Sequence, residues 1–218
     1  LSLRRQRQMC IRDRFSNADL EFEDAIDKDG QAYPLTQGTF IKYLESDDRE
    51  LRASAFRNVY KAYGAHNNTL GATLAGEVKK NVFNARTHHY RSARERALSN
   101  NHIPEAVYDN LIKTVHKYLP LLHRYTKLRQ ELLGLDDLKM YDLYTPLVKD
   151  VKFEMPYEEA KSWMLKALEP MGEEYLNVVK EGLDNRWVDV YENKGKRSGG
   201  YSSGGHLTNP FILLNWSD

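Results

Sequence analysis

The chain has 218 residues, 41% of them hydrophobic and 29% charged, with a formal charge of +1; that is enough material for one large or two small domains and too apolar for a disordered chain. No apolar run approaches the roughly 20 residues of a membrane-spanning helix, so a membrane protein is not expected. No apolar h-region or small-residue cleavage site marks a secretory signal.

Residues 1–14, LSLRRQRQMCIRDR, stand apart. The peptide MCIRDR is what ATG-TGT-ATA-AGA-GAC-AG plus one more base encodes, DNA that resembles the transposase end sequence of sequencing adapters. The expectation is that residues 1–14 are adapter-derived and carry no fold information. The alternative is a short basic arm for nucleic acid. Five arginines and one aspartate give this stretch +4, so residues 15–218 carry −3. A mildly acidic body gives no footprint for nucleic acid. Cys10, the single cysteine, also falls in this stretch. The remainder has no thiol for a disulfide, a nucleophile or a thiolate metal site, which suits a reducing cytoplasm.

Residues 20–36 predict two short extended pieces around the turn Asp27-Lys28-Asp29-Gly30. Asp-Gly favours positive-φ turns, and Pro34 argues against a central strand. Thr36 is placed to cap a short helix through QGTFIKYLE. From Asp47 the pattern turns helical: Asp47 and Glu50 resemble a capping box, and Leu51, Ala55, Val59 and Ala62 recur about once per turn. Leu70, Leu74, Val78 and Val82 resume the spacing, which predicts one long helix or two in series breaking near residues 64–68. Pro104 opens the next helix, with Val107, Leu111, Val115 and Tyr118 on one side. A further helix is expected over residues 119–133, stopping at Gly134.

LDDLKMYDLYTPLV reads as irregular. Two proline-opened helices follow, over residues 156–168 and 170–183. Their expected buried faces are Ala160, Trp163, Met164 and Ala167 on one, and Tyr175, Leu176 and Val179 on the other. After Asn185 the period switches to two in RWVDVYE, NKGKRSGG supplies a turn, and YSSGG and NPFILLNW read as further extended pieces. The expected fold class is mainly α, with a small β element near the C-terminal end at about residues 186–216.

None of the seven histidines is followed by glutamate, so HExxH does not occur in these residues, nor do CxxC, GxSxG or a P-loop. His116 and His123 lie seven apart in helical sequence, with no acidic partner at ligand spacing, so no metal site is expected there. The basic runs at residues 91–97 and 195–197 leave an RNA or nucleic-acid binder as a further alternative, which the −3 charge of the body argues against, and such runs are usually solvated helix faces. The glycine-rich stretch GKRSGGYSSGG lacks the order of a phosphate loop, because Lys194 and Lys196 precede the glycines and β-type sequence follows. Glycine in an extended segment lets another backbone approach, and an exposed edge of small residues can add a peptide as an extra strand. Residues 198–203 have that character.

DVYENKGKRSGGYSSGGHLTNPFILLNW resembles the segment just upstream of the zinc motif in the oligoendopeptidase F family, zinc metallopeptidases related to thimet oligopeptidase. YPLTQGTFIKYLESDDRELRASAF, LAGEVKKNVFNAR, NNHIPEAVYDNLIKTVHKYLPLLHRY and MYDLYTPLV resemble the same family in the same order, over about residues 18–218. The resemblance implies a mostly helical enclosure around a deep channel, cytoplasmic localisation, and hydrolysis of internal bonds of short peptides. It implies zinc held by the two histidines of HExxH and a later glutamate. The motif glutamate would be the general base on zinc-bound water, with downstream histidine and tyrosine stabilising the oxyanion.

None of those zinc-binding or catalytic residues matches a position in this chain. What does match is Ser198, Gly199, Gly200, Tyr201 and Ser202, the strand that in such enzymes lines the substrate cleft. Gly200 stands where alanine is more usual, a departure expected to loosen the strand slightly. The resemblance places residues 15–40 at the end of an N-terminal lobe and residues 41–218 at the front of the catalytic domain, short of the zinc site. The chain alone is then expected to bind no zinc, to be inactive, and to supply one wall of an oligopeptide cleft. The alternative is a non-catalytic helical peptide-binding module.

Overall fold

The Asp27–Gly30 turn forms as its residues dictate. Asp27 Oδ1 accepts from the N–H groups of Asp29 and Gln31 at 2.9 and 2.8 Å, and Gly30 takes φ +82°. It joins β1 (Ala25–Ile26) to β2 (Ala32–Tyr33) in an antiparallel pair that ends one residue before Pro34. This computed structural model describes residues 10–148, 155–193 and 195–216. The chain divides into two units. One holds the described residues up to Glu21 with Val59–Leu143, and the other holds Phe22–Asn58 with the described residues from Tyr144 onward. Of the stretch read as adapter-derived, residues 1–9 lie outside the described residues.

In the second unit, Thr36 Oγ1 accepts from the N–H groups of Gly38 and Thr39 and starts α1 (Thr39–Leu44). The next helix, α2 (Arg49–Gly64), is capped by Asp48 rather than by Asp47. Asp48 Oδ1 accepts from Glu50 and Leu51 at 2.9 and 3.3 Å, while Oδ2 accepts from Lys28 N–H at 3.0 Å. The carboxylate directly before the first helical residue reaches these donors, and Asp47 is one residue too early. Leu51 and Ala55 are buried, with Ala25, Leu35 and Leu44. Ser54 Oγ accepts from Ile26 N–H, and Asn58 Nδ2 donates to the carbonyls of Glu23 and Asp24, so α2 holds the N-terminal strand by polar contacts as well.

The expected break falls between Gly64 and Asn67, where α3 (Asn67–Thr87) begins. A short helix, α4 (Ala93–Ser99), was not predicted, since seven residues are too few to show a period. Its start signal was nonetheless present as Ser92-x-x-Glu95, and Glu95 N–H donates to Ser92 Oγ at 3.0 Å. Arg94 then joins α4 to α5 (Glu105–Leu132) through Glu105 and Asp109, both at 2.8 Å.

Helix α5 runs unbroken through Pro120, where two helices were expected. An interior proline removes one backbone hydrogen bond and costs about 3 kcal/mol. The spacing of Val107, Leu111, Val115 and Tyr118 continues in phase through Leu122, Tyr125 and Leu132, and these side chains are exposed on both sides of Pro120. Near its end, the buried Arg129 donates through Nε and Nη2 to the carbonyl of Asp142, which lies in the expected irregular stretch.

Back in the second unit are α6 (Tyr157–Ala167) and α7 (Glu173–Asp184). Pro170 does not open α7. It sits in a 3-10 turn, Glu169–Met171, and Gly172 at φ +90° precedes the helix. The expected buried faces are only partly covered. Trp163 is 61% exposed and Tyr175 46%, and Ala167 is exposed too. Apolar periodicity marks a face that could be covered, and whether another layer covers it is a tertiary matter.

The β element consists of β3 (Val188–Tyr191), β4 (Tyr201–Ser203) and β5 (Phe211–Trp216), within the expected residues 186–216. The strand order is β3-β5-β4, with β3 parallel and β4 antiparallel to β5. The fold is mainly α with a few short strands, as expected. No helix among the described residues is long and apolar enough to cross a membrane.

Candidate functional site

The sheet order decides what the glycine-rich stretch presents. Because β5 lies in the middle, the segment from Tyr191 to Tyr201 must cross from one edge of the sheet to the other. Gly195 and Gly199, both at φ +85°, allow the reversal. The crossing delivers β4 to an edge with no strand beyond it among the described residues.

The phase of β4 follows from one hydrogen bond. Ile212 N–H donates to Trp187 O at 2.7 Å, so Ile212 turns its backbone groups toward β3. Backbone groups alternate along a strand, so Phe211 and Leu213 turn theirs toward β4. Their partners Ser203 and Tyr201 face β5, and Ser202, opposite Ile212, directs its N–H and C=O to the free edge. Gly200 falls in the same phase as Ser202. A Cβ at Gly200 would stand 3.3 Å from Leu213 O, so this position already lies close to its neighbour strand.

The five residues singled out by sequence are therefore split in two. Tyr201 and Ser202 are on the edge strand, while Ser198, Gly199 and Gly200 form the end of the crossing that leads into it. All five are exposed, and the Tyr201 ring sits 6.1 Å from that of Phe211.

Two residues hold the crossing in place: Asn215, which sequence reading passed over, and Lys196, which was expected on a solvated basic face and instead has its side chain buried against β3. Lys196 Nζ donates to Tyr191 O at 2.5 Å and Asp189 O at 3.1 Å, and pairs with Asp189 Oδ1 at 3.0 Å. Asn215 Nδ2 donates to Arg197 O at 2.8 Å and Gly199 O at 2.7 Å. The available signals were a lysine directly after a glycine and one amide in an otherwise apolar run, and neither names its partner.

A cavity of about 570 Å³ lies between α6, α7 and the sheet, lined by Met164, Val179, Trp187, Ile212, Leu214 and Trp216 among others. Burial raises the pKa of the Tyr157 phenol beside it. The hydrogen bond to Glu158 raises that of the Lys161 ammonium. Apart from Tyr157, Lys161 and Tyr175, the lining is mostly apolar.

Among the described residues no three His, Cys, Asp or Glu side chains come together in a way that could hold a metal ion. The described side chains therefore do not fit a catalytic zinc.

Residues 42–218 match the sequence pattern of Peptidase family M3. Oligopeptidase PepF of Bacillus subtilis (strain 168) is 60% identical over 201 residues, which cover 92% of this chain and 30% of PepF. Group B oligopeptidase PepB of Streptococcus agalactiae is 50% identical over 202 residues, covering 93% of this chain and 33% of PepB. The crystal structure of oligoendopeptidase-F from Enterococcus faecium matches with a TM-score of 0.61 and 44% identity, over 79% of this chain and 32% of that one. The chain thus spans about a third of the length of these relatives. With the family pattern running through most of its residues, this chain belongs to peptidase family M3.

Proposed function

We propose that residues 198–203 form the strand edge of a substrate cleft in a zinc-dependent oligoendopeptidase, a cytoplasmic enzyme hydrolysing internal peptide bonds of oligopeptides. The observation that carries this reading is the outward phase of Ser202 on an uncovered edge strand, in a chain of this family. An extended peptide can pair its backbone with such an edge whatever its side chains, which gives sequence-tolerant binding. Tyr201, 48% exposed, is placed to cover a bound side chain. In this reading the role of these residues is to bind and orient, and zinc, general base and oxyanion donors come from outside residues 1–218.

The test is to read the source DNA through and past the Asp218 codon. An in-frame HExxH within about twenty codons supports the reading. A stop codon there overturns it and leaves a non-catalytic peptide-binding module. Chelator-sensitive cleavage of a quenched peptide by the purified 218-residue chain would overturn the assignment of catalysis to other residues.

A further inference from the structure

We propose that Lys196 and Asn215 are positioning residues, which hold the crossing segment so that Gly200 and Ser202 keep their backbone groups aimed at a bound peptide. The inference rests on the peptide-binding reading of β4.

The crossing is inherently loose. It contains Gly195, Gly199 and Gly200, and glycine loses more backbone freedom on ordering than any other residue. An edge built on such a segment would have to be ordered each time a peptide bound, which weakens binding. Lys196 and Asn215 remove that freedom beforehand, by tying the crossing to β3 and to β5.

Lys196 belongs to the crossing and reaches back to β3. Its side chain is only 4% exposed, and the ammonium is directed at two carbonyls and one carboxylate oxygen, a use for each of its three protons. A buried ammonium without such partners would be strongly disfavoured, so the segment cannot drift from β3 without breaking the whole set. Asn215 belongs to β5 and reaches forward. Its two amide protons go to Arg197 O and Gly199 O, on the residues flanking Ser198. Residues 196–199 are thereby tied to β3 and β5 immediately before Gly200. Neither side chain is part of the buried apolar core: Lys196 anchors its own segment to the β3 backbone, and Asn215 holds backbone carbonyls of the segment that feeds the edge.

The experiment uses the 218-residue chain and two probes: a blocked alanine–leucine pentapeptide, and the same peptide with methyl groups on alternate backbone nitrogens. Binding is followed by the backbone amide signals of Gly200 and Ser202 in nitrogen-15 NMR. Folding is followed by tryptophan fluorescence. Asn215→Asp keeps the side-chain shape while turning an oxygen toward the two carbonyls. Lys196→Met keeps the stem and removes the ammonium, and Lys196→Arg keeps the charge.

The expected result is that the unsubstituted chain prefers the unmethylated peptide. Asn215→Asp and Lys196→Met should each weaken that binding about tenfold, as expected for losing two or more hydrogen bonds that order the edge. Lys196→Arg should recover part of the loss, with the tryptophan unfolding midpoint retained. Equal binding of both peptides by the unsubstituted chain overturns the edge-strand reading itself. Full discrimination surviving in both Asn215→Asp and Lys196→Met overturns the positioning inference alone. Binding that falls only in step with the folded fraction shows a structural role and overturns it too. If Lys196→Met does not fold, Asn215→Asp decides.

Discussion

The hydroxyl of Thr36 donates to Oε1 of Glu192 at 2.7 Å, joining residues 156 positions apart in the chain. The same oxygen accepts the N–H groups of Gly38 and Thr39, so one side chain starts α1 and fixes the residue that follows β3. Glu192 comes so close that a Cβ on Gly38 would stand 2.3 Å from its Cγ. The N-terminal strand pair and the C-terminal sheet of the second unit are thereby tied at a shared point.

Thr36→Ala should destabilise the second unit by about 1–2 kcal/mol, through loss of the cap and of the Glu192 bond. Thr36→Ser should restore most of it. Gly38→Ala should cost about 1–3 kcal/mol by displacing Glu192. All three tryptophans, Trp163, Trp187 and Trp216, lie in this unit, so denaturant unfolding followed by their fluorescence reads it selectively.

Gly182 makes a similar close approach on α7. A Cβ there would lie 2.6 Å from Cε3 of Trp187, and the Trp187 N–H donates to Gly182 O at 3.1 Å. Gly182→Ala should therefore lower stability by about 1–3 kcal/mol through overpacking, despite alanine's better helix propensity. A blue or red shift of the native tryptophan emission should accompany it. An unchanged unfolding midpoint and spectrum would contradict the prediction.

Asp48 sets a pH dependence. Burial pushes its carboxyl up, but the N–H groups of Lys28, Leu51 and Glu50 outweigh that and leave it below the ordinary value of 3.8. Because the folded state holds this proton less tightly than the unfolded one, its stabilisation is full above about pH 4 and is lost as pH falls through the lower folded value. Asp48→Ala should cost about 1 kcal/mol at neutral pH. The gap between the two proteins should narrow on acidification. Denaturation midpoints of both proteins at about pH 6 and about pH 3 measure it.

Ser202→Pro tests the phase of the edge. Its N–H faces outward, so proline there should leave the β4–β5 pairing in place while removing a donor from the edge. Peptide affinity should fall about five- to tenfold, the worth of one hydrogen bond. Tyr201→Pro should instead break the pairing with Leu213 and release the strand. Loss of the β4 amide signals in Ser202→Pro, or their retention in Tyr201→Pro, would reverse the assigned phase.

Local chemistry determined much of this protein. The Asp27–Gly30 turn, the Pro104 start, the break after Gly64 and the switch to period two after Asn185 each depend on a few neighbouring residues, and each stands where the sequence places it. The family, too, was legible, because whole segments carry it. Tertiary structure decided the rest. Spacing does not decide that one helix continues through Pro120, or that Trp163 is exposed because nothing among the described residues of its unit covers that face. The order β3-β5-β4, the outward phase of Ser202 and the hold of Lys196 and Asn215 on the crossing depend on which distant strand takes the central place. Strand pairing is made by backbone groups common to every residue, so a sequence names its strands more readily than their neighbours.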